Sequence, residues 1–170
     1  MAKTMTFRFA VAAALAATAL AAPQATAAPK PTPSIAKTAD AQTRAFAEAN
    51  PQILAAAATA CGAGYDTVNH AIPLPVGTDP QLRLATLFTY TNGNAGCTIL
   101  DNNVGATRYM YLQVCKLGGT PCDTDSGNFS QYAGPVYVSS FVCARVTAKM
   151  GTSSTSLSIN YATDYAFPCN

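Results

Sequence analysis

Six cysteines constrain this chain more than any other feature: Cys61, Cys97, Cys115, Cys122, Cys143 and Cys169. Whether they cross-link depends on the compartment, and the N-terminus speaks to that. Lys3 and Arg8 form a positive start, and Phe9 to Ala22 is an apolar run interrupted by a single threonine. The small-x-small stretch Ala25-Thr26-Ala27 follows, so residues 1–27 read as a secretory signal peptide. The run is too short for a stable membrane anchor, which leaves no membrane span in the mature chain. An even cysteine count in a secreted, extracellular protein reads as three disulfides. Cys115 and Cys122 flank the turn-rich KLGGTP and pair first. Cys61–Cys97 and Cys143–Cys169 are adopted for the rest, although spacing leaves other pairings open. Zinc would need close cysteine pairs or a histidine cluster, and the sequence has neither.

Removing the signal changes the charge. Loss of Lys3 and Arg8 takes the 10 basic residues to 8, level with the 8 acids. A near-neutral chain with dispersed cations has no footprint for nucleic acid or acidic lipid.

Two kinds of periodicity divide what remains. Residues 28–60 begin with the stiff leader PKPTPS and continue as an alanine-rich stretch of helical character. Asp40 and Arg44 stand four apart, acid before base, which favours an ion pair on one helix face. Asn50-Pro51 looks like a cap and first-turn proline starting a second helix, which Gly62 would end. This segment is read as a helical hairpin packed on the main domain, with a processed pro-segment as the alternative. Residues 61–170 read as a disulfide-stabilised β-domain. LRLATLFTY (82–90), TRYMYLQVC (107–115), VYVSSFVCARV (136–146) and SLSINYA (156–162) are strand-like, separated by turn sequences rich in glycine and asparagine. The expected fold is mainly β, a small antiparallel sandwich or barrel preceded by a short Ala-rich helical segment. Alternation along these runs argues against a buried parallel sheet.

Two blocks carry a family signal: CGAGY at 61–65 and DSGNFSQYAGPVYV at 125–138. With Cys97 and Cys143 they resemble the spore-associated protein A group of secreted actinobacterial proteins, over roughly residues 61–145. The resemblance implies a small exported domain associated with spores or the cell surface. It implies no catalytic residue and no ligand.

Chemistry-bearing residues are few. His70 is the one histidine, and a serine triad built on it would need an orienting carboxylate and a nucleophile. Asp66 is near in sequence, but no G-x-S-x-G elbow is present. Asp66, Asp79, Asp101, Asp123, Asp125 and Asp164 offer carboxylates without a context that singles out a glycosidase pair. Asp123-Thr-Asp125 hints at a calcium loop, yet the fifth, sixth and twelfth positions are Gly127, Asn128 and Gly134. That fails the ligand pattern and leaves a polar turn. Tyr109 and Tyr111 alternate with core residues, so they should project from the opposite face as a possible surface for sugars or a protein partner. The expected function is therefore a secreted spore- or cell-surface protein, structural or binding and not enzymatic, without cofactor or metal. Its expected partners are cell-wall or spore-surface components. Alternatives are a small-molecule carrier with a cleft lined by Phe88, Phe129 or Phe141, and a secreted hydrolase.

Overall fold

In the computed structural model, which describes residues 32–169, the alanine-rich segment forms two helices, α1 (Ala41–Ala49) and α2 (Pro51–Cys61). Asp40 caps α1 by accepting a hydrogen bond from the Thr43 N–H at 2.6 Å. Arg44 therefore does not pair with it; the guanidinium donates instead to the carbonyls of Ala36, Lys37 and Ala39. Those carbonyls just before a helix have no helical partner, and a forked donor can satisfy several together. Asn50 closes α1 and opens α2, with its side-chain amide turned back to the Phe46 carbonyl. No helix among the described residues is long and apolar enough to cross a membrane.

Among the described residues, nine strands make two sheets. A five-stranded sheet contains β1 (Ser34–Ile35), β2 (Thr67–Leu74), β3 (Ala85–Asn92), β4 (Ala95–Asn102) and β7 (Tyr132–Val138), in the order β1-β2-β3-β4-β7. The four-stranded sheet is β6 (Cys122–Phe129), β5 (Arg108–Cys115), β8 (Arg145–Ser153) and β9 (Ser156–Thr163). All pairings are antiparallel except the short β1–β2 contact. The architecture is mainly β and open at its edges: a sandwich, not a closed barrel.

Three layers result, because α1 and α2 lie on the outer face of the five-stranded sheet. Between the sheets, Leu87 and Leu100 meet Met110, Leu112, Val146 and Ile159. Beneath the helices, Phe88, Tyr90 and Ile99 meet Phe46 and Leu54 in a second core. Strand β3 is thus buried on both faces even though the sheet is antiparallel. The segment 82–90 also starts later than its leucines suggest. Pro80–Leu82 is a 3₁₀ turn capped by Asp79, Leu82 is exposed, and the strand begins at Ala85.

Two further stretches depart from the sequence reading. VYVSSFVCARV is not one strand: β7 ends at Val138 and β8 begins at Arg145. Between them the chain turns a corner, with Cys143 at positive φ and Phe141 stacked on Phe167. Gly96 makes room for that C-terminal phenylalanine, since a Cβ there would lie 2.7 Å from its ring. The polar DTDSGNF is not a turn but most of β6, paired along its whole length with β5.

The disulfides join Cys61 to Cys97, Cys115 to Cys122 and Cys143 to Cys169. The first ties the end of α2 to β4 in the core, the second closes the β5–β6 hairpin, and the third anchors the C-terminal segment. The signal sequence and the start of the leader lie outside the described residues.

Candidate functional site

On β5, Met110, Leu112 and Val114 enter the core, so Tyr109, Tyr111 and Gln113 face outward, half-buried. Cross-strand register surrounds them with polar groups. Asn128 and Ser126 of β6 lie opposite Tyr109 and Tyr111 on one side, with Gly151 and Lys149 of β8 on the other. The Lys149 ammonium sits 5.3 Å from the centre of the Tyr111 ring, and Gln113 donates to the Thr124 hydroxyl at 2.9 Å. Both helices cover the other sheet. Two rings in a field of amides and hydroxyls can stack on a sugar's apolar face while neighbours bond its hydroxyls.

Among the described residues, no hydrogen bond joins the His70 imidazole to a serine or threonine hydroxyl. Its Nδ1 is 2.9 Å from the Ala166 carbonyl, and its Nε2 is 3.8 Å from Asp40, not Asp66. In a triad the carboxylate orients the imidazole through Nδ1 and leaves Nε2 for the nucleophile. Here the carboxylate is on the Nε2 side and a carbonyl holds Nδ1. The arrangement links α1 to the C-terminal segment, which Thr89 also grips by donating to Ala166 at 2.7 Å.

The six candidate aspartates are likewise dispersed. Asp79 caps its turn, Asp164 lies 3.7 Å from Arg145, and Asp66 accepts a long bond from the Thr67 hydroxyl. Asp123 and Asp125 share a job that sequence reasoning missed. Strand β7 is the edge of the five-stranded sheet, and two of its N–H groups donate to these carboxylates. Gly134 reaches Asp125 at 2.7 Å, and Tyr137 reaches Asp123 at 2.8 Å. Acceptors spaced i, i+2 on one strand point the same way, which is why Asp-x-Asp fits. Gly134 completes the corner with φ +101°, and a Cβ there would sit 2.9 Å from the Thr98 carbonyl oxygen. Among the described residues, no three histidines, cysteines or acids are grouped to hold a metal ion.

The chain is similar to a spore-associated protein. Spore-associated protein A of Streptomyces coelicolor is 35% identical over 81 residues, covering 46% of this chain and 48% of that protein. The match thus spans about half the length of the curated relative. No protein-family model matches the chain, and no solved structure does either. Three disulfides fit an extracellular location.

Two of the grooves that border β7 have aromatic rings in their walls. One, of about 520 Å³, has Tyr65, Tyr137, Lys116 and Asp123 in its walls. The two rings lie 5.6 Å apart, and the Tyr137 hydroxyl donates to the Cys61 carbonyl. Partial desolvation, then the neighbouring Tyr65 and Asp123, push that phenol above its ordinary value. The other, of about 400 Å³, runs between α2 and β7 with Phe88 in its lining. Phe129 and Phe141 pack instead against the core between the sheets, so the three phenylalanines do not converge on one cleft.

Proposed function

We propose that this is an exported surface protein that binds neutral polysaccharide of the cell wall or spore surface through the outer face of its four-stranded sheet. The observation that carries the reading is the pairing of Tyr109 and Tyr111 at the centre of a face left bare by both helices, edged by Asn128, Ser126 and Asn160. A sheet face is rigid, so rings held there lose little freedom on binding. The balance of 8 acids against 8 bases after signal removal favours a neutral polymer over a polyanion. The partial likeness to a spore-associated protein supports the location.

Co-sedimentation of the mature protein with insoluble cell-wall polysaccharide tests this. The wild type should pellet and the Tyr109→Ala/Tyr111→Ala variant should stay in the supernatant with unchanged melting. Equal pelleting of the two, or no pelleting where an established glycan-binding module does so, sinks the proposal.

A further inference from the structure

The groove between α2 and β7 exists because the helical layer is narrower than the sheet beneath it. Helix α1 packs on β2 and α2 packs on β3 and β4, and α2 reaches β7 through its last residue, whose carbonyl accepts from the Tyr137 hydroxyl, so much of the outer face of β7 is left uncovered. The wall on the α2 side is low, because Ala56, Ala57 and Ala60 present only methyl groups there. Ile53, Phe88 and Ile99 make the rest of the apolar lining. The volume, about 400 Å³, is at the small end of ligand pockets.

Asp101 is the charged group in this lining. It follows Ile99 on the helix-facing side of β4, and it is partly buried. One of its oxygens accepts from the Asn103 amide at 2.9 Å. The cation in its neighbourhood, Arg83, is committed elsewhere. Its Nε donates to Thr86 and its Nη1 to the Pro80 carbonyl, while its guanidinium carbon lies 5.1 Å from the Phe46 ring centre. No ion pair to Asp101 is found among the described residues. Desolvation raises the carboxyl above its ordinary value despite Asn103, Arg83 and the Asn102 backbone, all of which pull it down. A partly buried carboxylate with no ion-pair partner beside an apolar trough selects its ligand on electrostatic grounds. An anion would be repelled, and a neutral molecule would leave the charge uncompensated.

We propose that this groove binds a small amphiphilic amine, its ammonium on the Asp101 carboxylate and its hydrocarbon body along the alanine face of α2. The site is on the opposite sheet from Tyr109 and Tyr111, and it stands or falls independently of polysaccharide binding.

Isothermal titration of the full exported chain with n-hexylammonium, n-hexanoate and n-hexanol tests it. Hexylammonium should bind saturably and hexanoate should not. Asp101→Asn should weaken hexylammonium at least tenfold and leave hexanol unaffected. Ala56→Phe, at an exposed position that lines the groove, should abolish amine binding without altering the melting curve. The Tyr109→Ala/Tyr111→Ala variant should bind the amine as the wild type does. Absence of saturable hexylammonium binding, equal affinity for hexanoate, or an unchanged affinity in Asp101→Asn overturns the assignment.

Discussion

Replacing Asp125 by alanine removes the acceptor on which the Gly134 N–H depends. Gly134 is part of an edge strand, so no further strand stands by to take over that donor. A hydrogen bond to a charged group contributes about 1.5–3 kcal/mol, and a buried donor left unpaired costs about 1–3 kcal/mol. Both Asp125 and Gly134 are half-buried, which places the expected loss near the middle of the range, about 2 kcal/mol. For a domain of this length each kcal/mol lowers the melting temperature by about 3–4 °C, so Asp125→Ala should melt roughly 7 °C below wild type. Asp125→Asn keeps a neutral acceptor and should lose about half as much. Asp123→Ala should lose less again, because that carboxylate and its partner Tyr137 are exposed and water can replace the bond. Calorimetry of the oxidised protein measures all three, with and without added calcium. An Asp125→Ala variant that melts within a degree or two of wild type refutes the staple. A calcium-dependent rise in the wild type would mean the carboxylates serve a metal instead.

Breaking Cys61–Cys97 by double alanine substitution should cost about 4 kcal/mol from the entropy of its 36-residue separation, against roughly 2 kcal/mol for Cys115–Cys122 with a separation of 7; urea unfolding of the two variants checks the order. Because burial raises Asp101, the folded chain keeps that proton to a higher pH than the unfolded chain does, so stability is lost as pH rises through the raised value. Asp101→Asn should therefore melt above wild type at pH 7 and converge with it near pH 3, and a lower melting temperature at pH 7 would contradict this.

The strands that sequence describes well are those with one wet face. Alternation in TRYMYLQVC separates Met110, Leu112 and Val114 from Tyr109 and Tyr111 because that sheet has solvent on one side. Strand β3 hides its nature for the opposite reason. The helices that dry its outer face are distant in sequence, and they fill both faces with apolar or hydrogen-bonded groups such as Thr89 and Tyr90. Strand β6 was illegible because it carries almost no apolar residues. Its hold on the fold is exerted through two carboxylates and a backbone ladder, which no hydrophobic pattern records. The groove beside α2 was equally hidden. Alanines in a helix read as helix-formers, and only the width of the sheet below turns their small size into empty space.

Strands β6 and β7 follow one another directly yet belong to different sheets. In most sandwiches each sheet can fray at its own edge as a local event. Here the two edges are joined by Ser130 and Gln131 alone, and the side chains of the first strand hold the backbone of the second. Peeling β6 from β5 would release Asp123 and Asp125 from β7, and lifting β7 would leave β6 with unpartnered acids. The two sheets are thereby welded into one cooperative unit. At this end of the sandwich a protease therefore meets no edge that opens by itself.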